Sequence, residues 1–126
     1  MTAGLAADRD AIRDLTARYC LYIDTGRAEE WAALWTEDGE FDLGGRVVRG
    51  RDELREHAVH MEPGRVHHLA TNLVIEVDGD EATNEMSMLL TSKGTIALVA
   101  RVHDVLRRVD GVWLLHRKSY EVDQAP

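Results

Sequence analysis

From residue 66 onward the chain reads as four long β runs, 66 to 77, 81 to 92, 95 to 107 and 112 to 122, and this most restricts what it can fold into. Val, Ile, Leu and Thr dominate the runs, while Asp78-Gly79-Asp80, Lys93-Gly94 and Asp110-Gly111 supply the tight turns between them. Such spacing predicts an antiparallel meander. The first half obeys a different period. From Asp8 to Ile23 the large apolar residues Ile12, Leu15, Tyr19, Tyr22 and Ile23 form a helical stripe, with Asp8 placed to cap it and Thr25-Gly26 to end it. A second short helix from Ala28 is expected to bring Trp31, Leu34 and Trp35 onto one face. E-F-D-L, Gly44-Gly45 and R-V-V-R-G read as a hairpin, and R-D-E-L-R-E-H-A-V-H-M returns to helix before E-P-G stops it.

Helices ahead of a long antiparallel sheet make an α+β domain, a single one over residues 1–126, with the helices covering one face. A strongly twisted sheet covered on one side wraps into a cone whose mouth holds a small ligand. Composition narrows the partners. Asp and Glu outnumber Lys and Arg 23 to 15, a net charge of −8, and the basic residues are scattered, which argues against nucleic acid. No run of about 18 apolar residues is present to span a membrane. No leader pattern precedes the first helix, and the lone Cys20 cannot form an internal disulfide, so a cytoplasmic setting is expected. The chain lacks CxxC, HExxH, P-loop and GxGxxG patterns, and no cofactor is expected. His57 and His60, beside Glu53 and Glu56, read as the solvated face of a charged helix, so no metal is assigned. Cys20 lies beside the first apolar stripe with no activating group adjoining it.

Four segments carry a resemblance: I-R-D-L-T-A-R-Y-C-L-Y-I-D-T-G, W-A-A-L-W-T-E-D-G-E-F, H-H-L-A-T-N-L-V-I-E-V-D-G-D-E-A and H-D-V-L-R-R-V-D-G-V-W-L-L-H-R. In this order they resemble a SnoaL-like member of the NTF2-like superfamily, the group that holds scytalone dehydratase, ketosteroid isomerase and polyketide cyclases. The resemblance implies an NTF2-like cone, with helices packed on a curved, mainly antiparallel sheet. It further implies an Asp–His dyad, at positions matching Asp24 and His68.

The residues themselves leave alternatives. Asp24 falls in the last helical turn, where the macrodipole disfavours a carboxylate by roughly 0.3–1 kcal/mol; it is either turn chemistry or a residue with another task. His68 shares strand parity with Val66, Ala70, Asn72 and Val74, whereas the more apolar set belongs to His67. Either the less apolar face carries the pocket, or a bulge shifts the register. Tyr19, Tyr22, Trp35, Asn72, His103 and Arg117 complete the expected ligand contacts, His103 sharing its parity with Arg101. The reading is a cofactor-independent lyase or isomerase of dehydratase type, taking a small apolar oxygenated substrate such as a polyketide- or steroid-like compound. The alternatives are a ligand-binding module with the same cone, and a polyketide cyclase in which Asp24 is the acid/base. Leu, Val and Ile on both parities of the sheet predict a homodimer or homotrimer.

Overall fold

The computed structural model describes residues 2–123. Its order is α1 (Thr2–Asp24), α2 (Ala28–Ala32), β1 (Trp35–Asp42), β2 (Val47–Arg49), α3 (Gly50–Val59), β3 (His67–Asp78), β4 (Glu81–Ser92), β5 (Thr95–Val109) and β6 (Val112–Val122). The six strands form one sheet in the order β2-β1-β6-β5-β4-β3. All pairings are antiparallel except β1 with β6, which run parallel and are joined through β2, α3 and the first three strands of the meander. The three meander turns fall where Gly79, Gly94 and Gly111 stand, each with positive φ.

Two local expectations need correction. Asp8 does not cap α1, which begins several residues earlier; its carboxylate instead accepts hydrogen bonds from Arg108 Nη1 (2.8 Å) and Trp113 Nε1 (3.1 Å), tying the helix to the far end of the sheet. The second helix stops at Ala32, so Trp35 opens β1 rather than extending a helical face. Both tryptophans still reach the core, their ring centroids 5.5 Å apart, because the turn at residues 33 and 34 delivers what a helical turn would have delivered.

The core lies between the helices and the concave face of the sheet. Ile12, Leu15, Tyr19 and Ile23 of α1 and Leu54 and Ala58 of α3 pack over Ile75, Met86, Met88, Val102, Leu106 and Leu115. Three register shifts within the meander bend the sheet around them, since an extra residue on one strand increases twist and curves it. In β3, Asn72 and Leu73 together oppose one residue of β4, and Asn72 adopts φ 58°. In β6, the pairing passes from Val105↔Arg117 to Leu106↔Leu115, leaving His116 as the extra residue. Each shift exchanges the strand's two faces. Before Asn72 the inward residues are His68 and Ala70; beyond it they are Leu73, Ile75 and Val77. In β6 they change from Trp113 and Leu115 to Lys118 and Tyr120.

Candidate active site

Asp24 is placed by the way α1 ends. Gly26 takes φ 75°, and the Arg27 N–H closes back on the Tyr22 carbonyl at 2.9 Å, a Schellman-type end that glycine adopts without strain. Gly26 also lets the chain approach closely: a Cβ there would stand 2.8 Å from Cγ of Pro63. One residue on, the Gly64 N–H donates to the Asp24 carbonyl at 3.1 Å. The end of α1 is thereby joined to the segment that leads into β3.

That junction sets the strand mouth against the helix end. Asp24 Oδ2 accepts the His68 backbone N–H at 2.8 Å, and Oδ1 lies 2.6 Å from His68 Nδ1. Side-chain exposure is 10% for Asp24 and 6% for His68, so water competes weakly for either bond. A carboxylate only accepts, so Nδ1 carries the proton that it receives; in the neutral imidazole Nε2 then keeps the lone pair. The carboxylate that the macrodipole disfavours is stabilised by these two donors instead. Of the two adjacent histidines, His68 is the buried one and His67 is exposed.

His68 lines an inner cavity of about 230 Å³. Its wall is largely apolar, with Ile23, Trp31, Phe41, Leu90 and Leu98 among its residues, and the polar contributions come from Tyr19, Tyr120, His57 and His68. Tyr19 sets its ring edge-on to His68, centroids 6.3 Å apart. Burial, followed by the neighbouring Tyr120, pushes the Tyr19 phenol well above its ordinary range; burial also raises Tyr120, with the Tyr19 hydroxyl opposing. Both stay protonated at neutral pH. Behind them lies a sealed ion pair, Lys118 Nζ to Asp104 Oδ1 at 2.8 Å, with Lys118 also 4.3 Å from the centre of the Tyr19 ring. Cys20, next to the same group, has its thiol pushed up to about 11, chiefly by burial, and is no nucleophile near neutrality. A shallow groove of about 650 Å³ between α1 and β3 touches the outer side of the Asp24–His68 pair.

Of the six ligand contacts expected beyond the dyad, the structure brings Tyr19 alone to this cavity. Trp35 is wholly buried behind Trp31 and Phe41. Tyr22 turns outward, its hydroxyl accepting from Arg18 Nη1 at 2.8 Å. Asn72 is exposed at the bulge, where its φ rather than its amide matters. His103 and Arg101 face the outer side of the sheet because the inward set of β5 is Ala100, Val102, Asp104 and Leu106; His103 Nε2 lies 3.9 Å from a Glu85 carboxylate oxygen. Arg117 points outward to Glu40 (3.4 Å), since the bulge at His116 turns its neighbours Lys118 and Tyr120 inward.

Sequence reasoning missed Tyr120, whose inward orientation depends on that bulge, and His57. The His57 ring packs against Trp31 (6.0 Å) and edge-on to Phe41 (5.6 Å), whereas His60 is exposed and paired with Glu56. The two imidazoles of α3 therefore do not converge. Among the described residues, no group of three or more His, Cys, Asp or Glu is arranged to hold a metal ion, and no helix is long and apolar enough to cross a membrane.

Residues 5–119 match the model of the SnoaL-like domain. A protein of unknown function from Mycobacterium tuberculosis is 34% identical, with a TM-score of 0.91 over 98% of this chain and 76% of that one. An NTF2-like protein with a cystatin-like fold from Novosphingobium aromaticivorans is 26% identical, with a TM-score of 0.90 over 99% and 88%. A protein from Catenulispora acidiphila, solved in complex with S-DNPA, is 28% identical, with a TM-score of 0.81 over 94% and 95%. No curated protein sequence matches.

Proposed function

This chain belongs to the SnoaL-like family of the NTF2-like fold, and from that premise we propose that it is a cofactor-independent lyase or isomerase that moves a proton on a small, largely apolar, oxygenated molecule. The observation that carries this reading is the 2.6 Å contact between Asp24 and His68 Nδ1 at the wall of an apolar cavity. Asp24 fixes the imidazole tautomer and stabilises the imidazolium that forms. His68 Nε2 takes a proton from a carbon next to a carbonyl and returns it to a leaving hydroxyl, which departs as water, or to a second carbon. The first outcome is a dehydration and the second a double-bond shift. Neither requires a redox partner.

The cavity volume favours compact ring systems over a four-ring steroid, for it lies below the roughly 300–1,000 Å³ of pockets built for drug-sized ligands. Exposed Leu69, Val74, Ile96 and Val112 support association as a homodimer or homotrimer, and the reading places the protein in the cytoplasm. The test uses 2-tetralone, a two-ring ketone with acidic α-hydrogens. Its exchange with deuterium should be accelerated by the wild type, and His68→Gln should lower that acceleration by about 10²–10⁴-fold, the usual contribution of a positioned base. Asp24→Asn should lower it as well and redistribute the His68 tautomers in long-range ¹H–¹⁵N spectra. Exchange by His68→Gln at the wild-type rate rejects the mechanism. If Asp24→Asn alone abolishes exchange, Asp24 is the base, as in the cyclase alternative.

A further inference from the structure

We propose that His57 is a second ligand-contacting imidazole, which hydrogen-bonds an oxygen of a compact aromatic ligand held in the inner cavity; the proposal rests on the reading of that cavity as the ligand site. Three independent observations converge on it. The first is position. His57 lines both the inner cavity and an outer pocket of about 520 Å³ formed with Arg46, Val48, Glu53, Glu56 and His60, and Met61 is the other residue common to both. It therefore stands in the partition through which the two spaces adjoin. The second is the state of its nitrogens. Neither is engaged by another described group, and neither is sealed away as an orphaned buried atom, unlike Trp31 Nε1, Trp35 Nε1 and Tyr120 Oη. A half-buried imidazole held in place by Trp31 and Phe41, with both nitrogens free, is a hydrogen-bonding group without a partner inside the protein.

The third is the layout of the wall. His57, Trp31, Tyr19 and His68 form a row of rings, with successive centroid separations of 6.0, 5.4 and 6.3 Å. An imidazole thus closes each end of that series of neighbouring rings, with Trp31 and Tyr19 between them. His68 is committed to Asp24 through Nδ1, whereas His57 has no carboxylate partner, and burial lowers its pKa, with Arg46 and His60 adding to the effect. At neutral pH His57 thus offers one N–H donor and one lone pair. The two ends differ in chemistry: one handles protons, and the other orients the ligand by its oxygen. With an apolar wall between them, the cavity fits a one- or two-ring molecule bearing a hydroxyl or carbonyl at its periphery.

The test measures dissociation constants for p-cresol and toluene, which differ by one hydroxyl, by NMR titration of wild type, His57→Phe, His57→Gln and His68→Gln, with thermal melts confirming that each variant is folded. His57→Phe keeps the ring packing and removes the nitrogens. It should weaken p-cresol by about two- to tenfold, the effect of one lost hydrogen bond, and leave toluene unchanged. His57→Gln should restore part of the preference for p-cresol over toluene. In the wild type, p-cresol should shift the His57 ring ¹⁵N signals. The proposal is overturned if His57→Phe weakens both probes equally, if it weakens neither, or if neither probe binds the folded wild type at millimolar concentration. Binding without turnover keeps this separate from the catalytic reading: loss of 2-tetralone exchange in His68→Gln with His57→Phe silent rejects the anchor alone. The opposite pair of results rejects the mechanism alone.

Discussion

Lys118→Met should be among the most destabilising single substitutions in this chain. Lys118 and Asp104 are 1% and 2% exposed, their charged atoms stand 2.8 Å apart, and among the described residues the carboxylate's other hydrogen-bond partner is Asn84 Nδ2 at 3.4 Å. Methionine fills much of the lysine volume, so the loss is one of charge rather than packing. It leaves Asp104 without a counter-charge, and breaking such a buried pair costs about 3–5 kcal/mol. Against a total stability of roughly 5–15 kcal/mol for a domain, this removes a large share. Urea unfolding followed by far-UV circular dichroism is the assay, read as a fall in midpoint at constant m. The pair should also behave as one unit. Lys118→Met with Asp104→Leu removes both charges and should recover most of the loss, giving a coupling of about 3 kcal/mol in the double-mutant cycle. Because both groups are sealed from solvent, 1 M NaCl should not alter the cost. A penalty below about 1 kcal/mol for Lys118→Met, or strict additivity in the double variant, would refute the reasoning.

Asn72→Val forces a β-branched residue into φ 58° and should cost about 1–2 kcal/mol in urea unfolding, whereas Asn72→Gly should stay within about 0.5 kcal/mol of wild type; equal effects would mean that the bulge imposes no left-handed strain. Gly26→Ala combines φ 75° with a contact 2.8 Å from Pro63, and should cost at least as much while shifting the His68 amide resonance through the Asp24 junction. Cys20, with its thiol pushed up to about 11, should react with a disulfide reagent at pH 8 far more slowly than a free thiol until urea unfolds the chain, and immediate modification of the native protein would contradict its burial. His57 binds its proton less tightly folded than unfolded, so the unfolded chain takes up more protons as the pH falls through about 6.5. Stability should therefore decline below that pH, and His57→Phe should reduce the decline, as measured by urea midpoints between pH 7 and pH 5.

The sheet was readable in the sequence because its turns are chemically explicit, and the helices because their apolar stripes are. What periodicity could not supply was phase. Alternation states which residues share a face only as long as the strand stays regular, and β3 and β6 both slip by one residue. The sequence reading left His68 on the less apolar parity of β3 and allowed either a polar face or a bulge as the reason. The structure has the bulge, at an asparagine, one of the residue types that tolerate positive φ. The cue was present in T-N-L but had no unique meaning. In β6 the same device sits at His116, so that Arg117, expected at the cavity because W-L-L-H-R matches the family pattern, points outward while Lys118 and Tyr120 turn inward. The placement of His103 was a different failure. Ala100, Val102 and Leu106 already mark the buried parity of β5, opposite to that of His103 and Arg101.

Asp104 shows why polarity is a poor guide to orientation in this fold. The concave side of the sheet buries a full ion pair, a tyrosine pair and a hydrogen-bonded histidine, while the outer side carries Glu40–Arg117, Glu85–His103 and Glu81–Arg107. Charged residues occur on both faces, and they differ in what surrounds them. Outside, the pairs are solvated and each contributes about 0–1 kcal/mol. Inside, Lys118–Asp104 lies beneath the Tyr19 ring that meets His68, with low-dielectric packing between them. A ligand in the cavity would thus meet a Tyr19 ring that also holds the Lys118 ammonium, and the carboxylate bonded to His68 sits in the same desolvated wall. Electrostatic interactions in such surroundings are stronger than in water and need little reorganisation when charge develops. Among the described residues, Asp24 and His68 alone combine a short mutual bond, low exposure and a nitrogen left free beside an apolar cavity. That combination, rather than the presence of an Asp and a His, is what proton transfer at carbon requires.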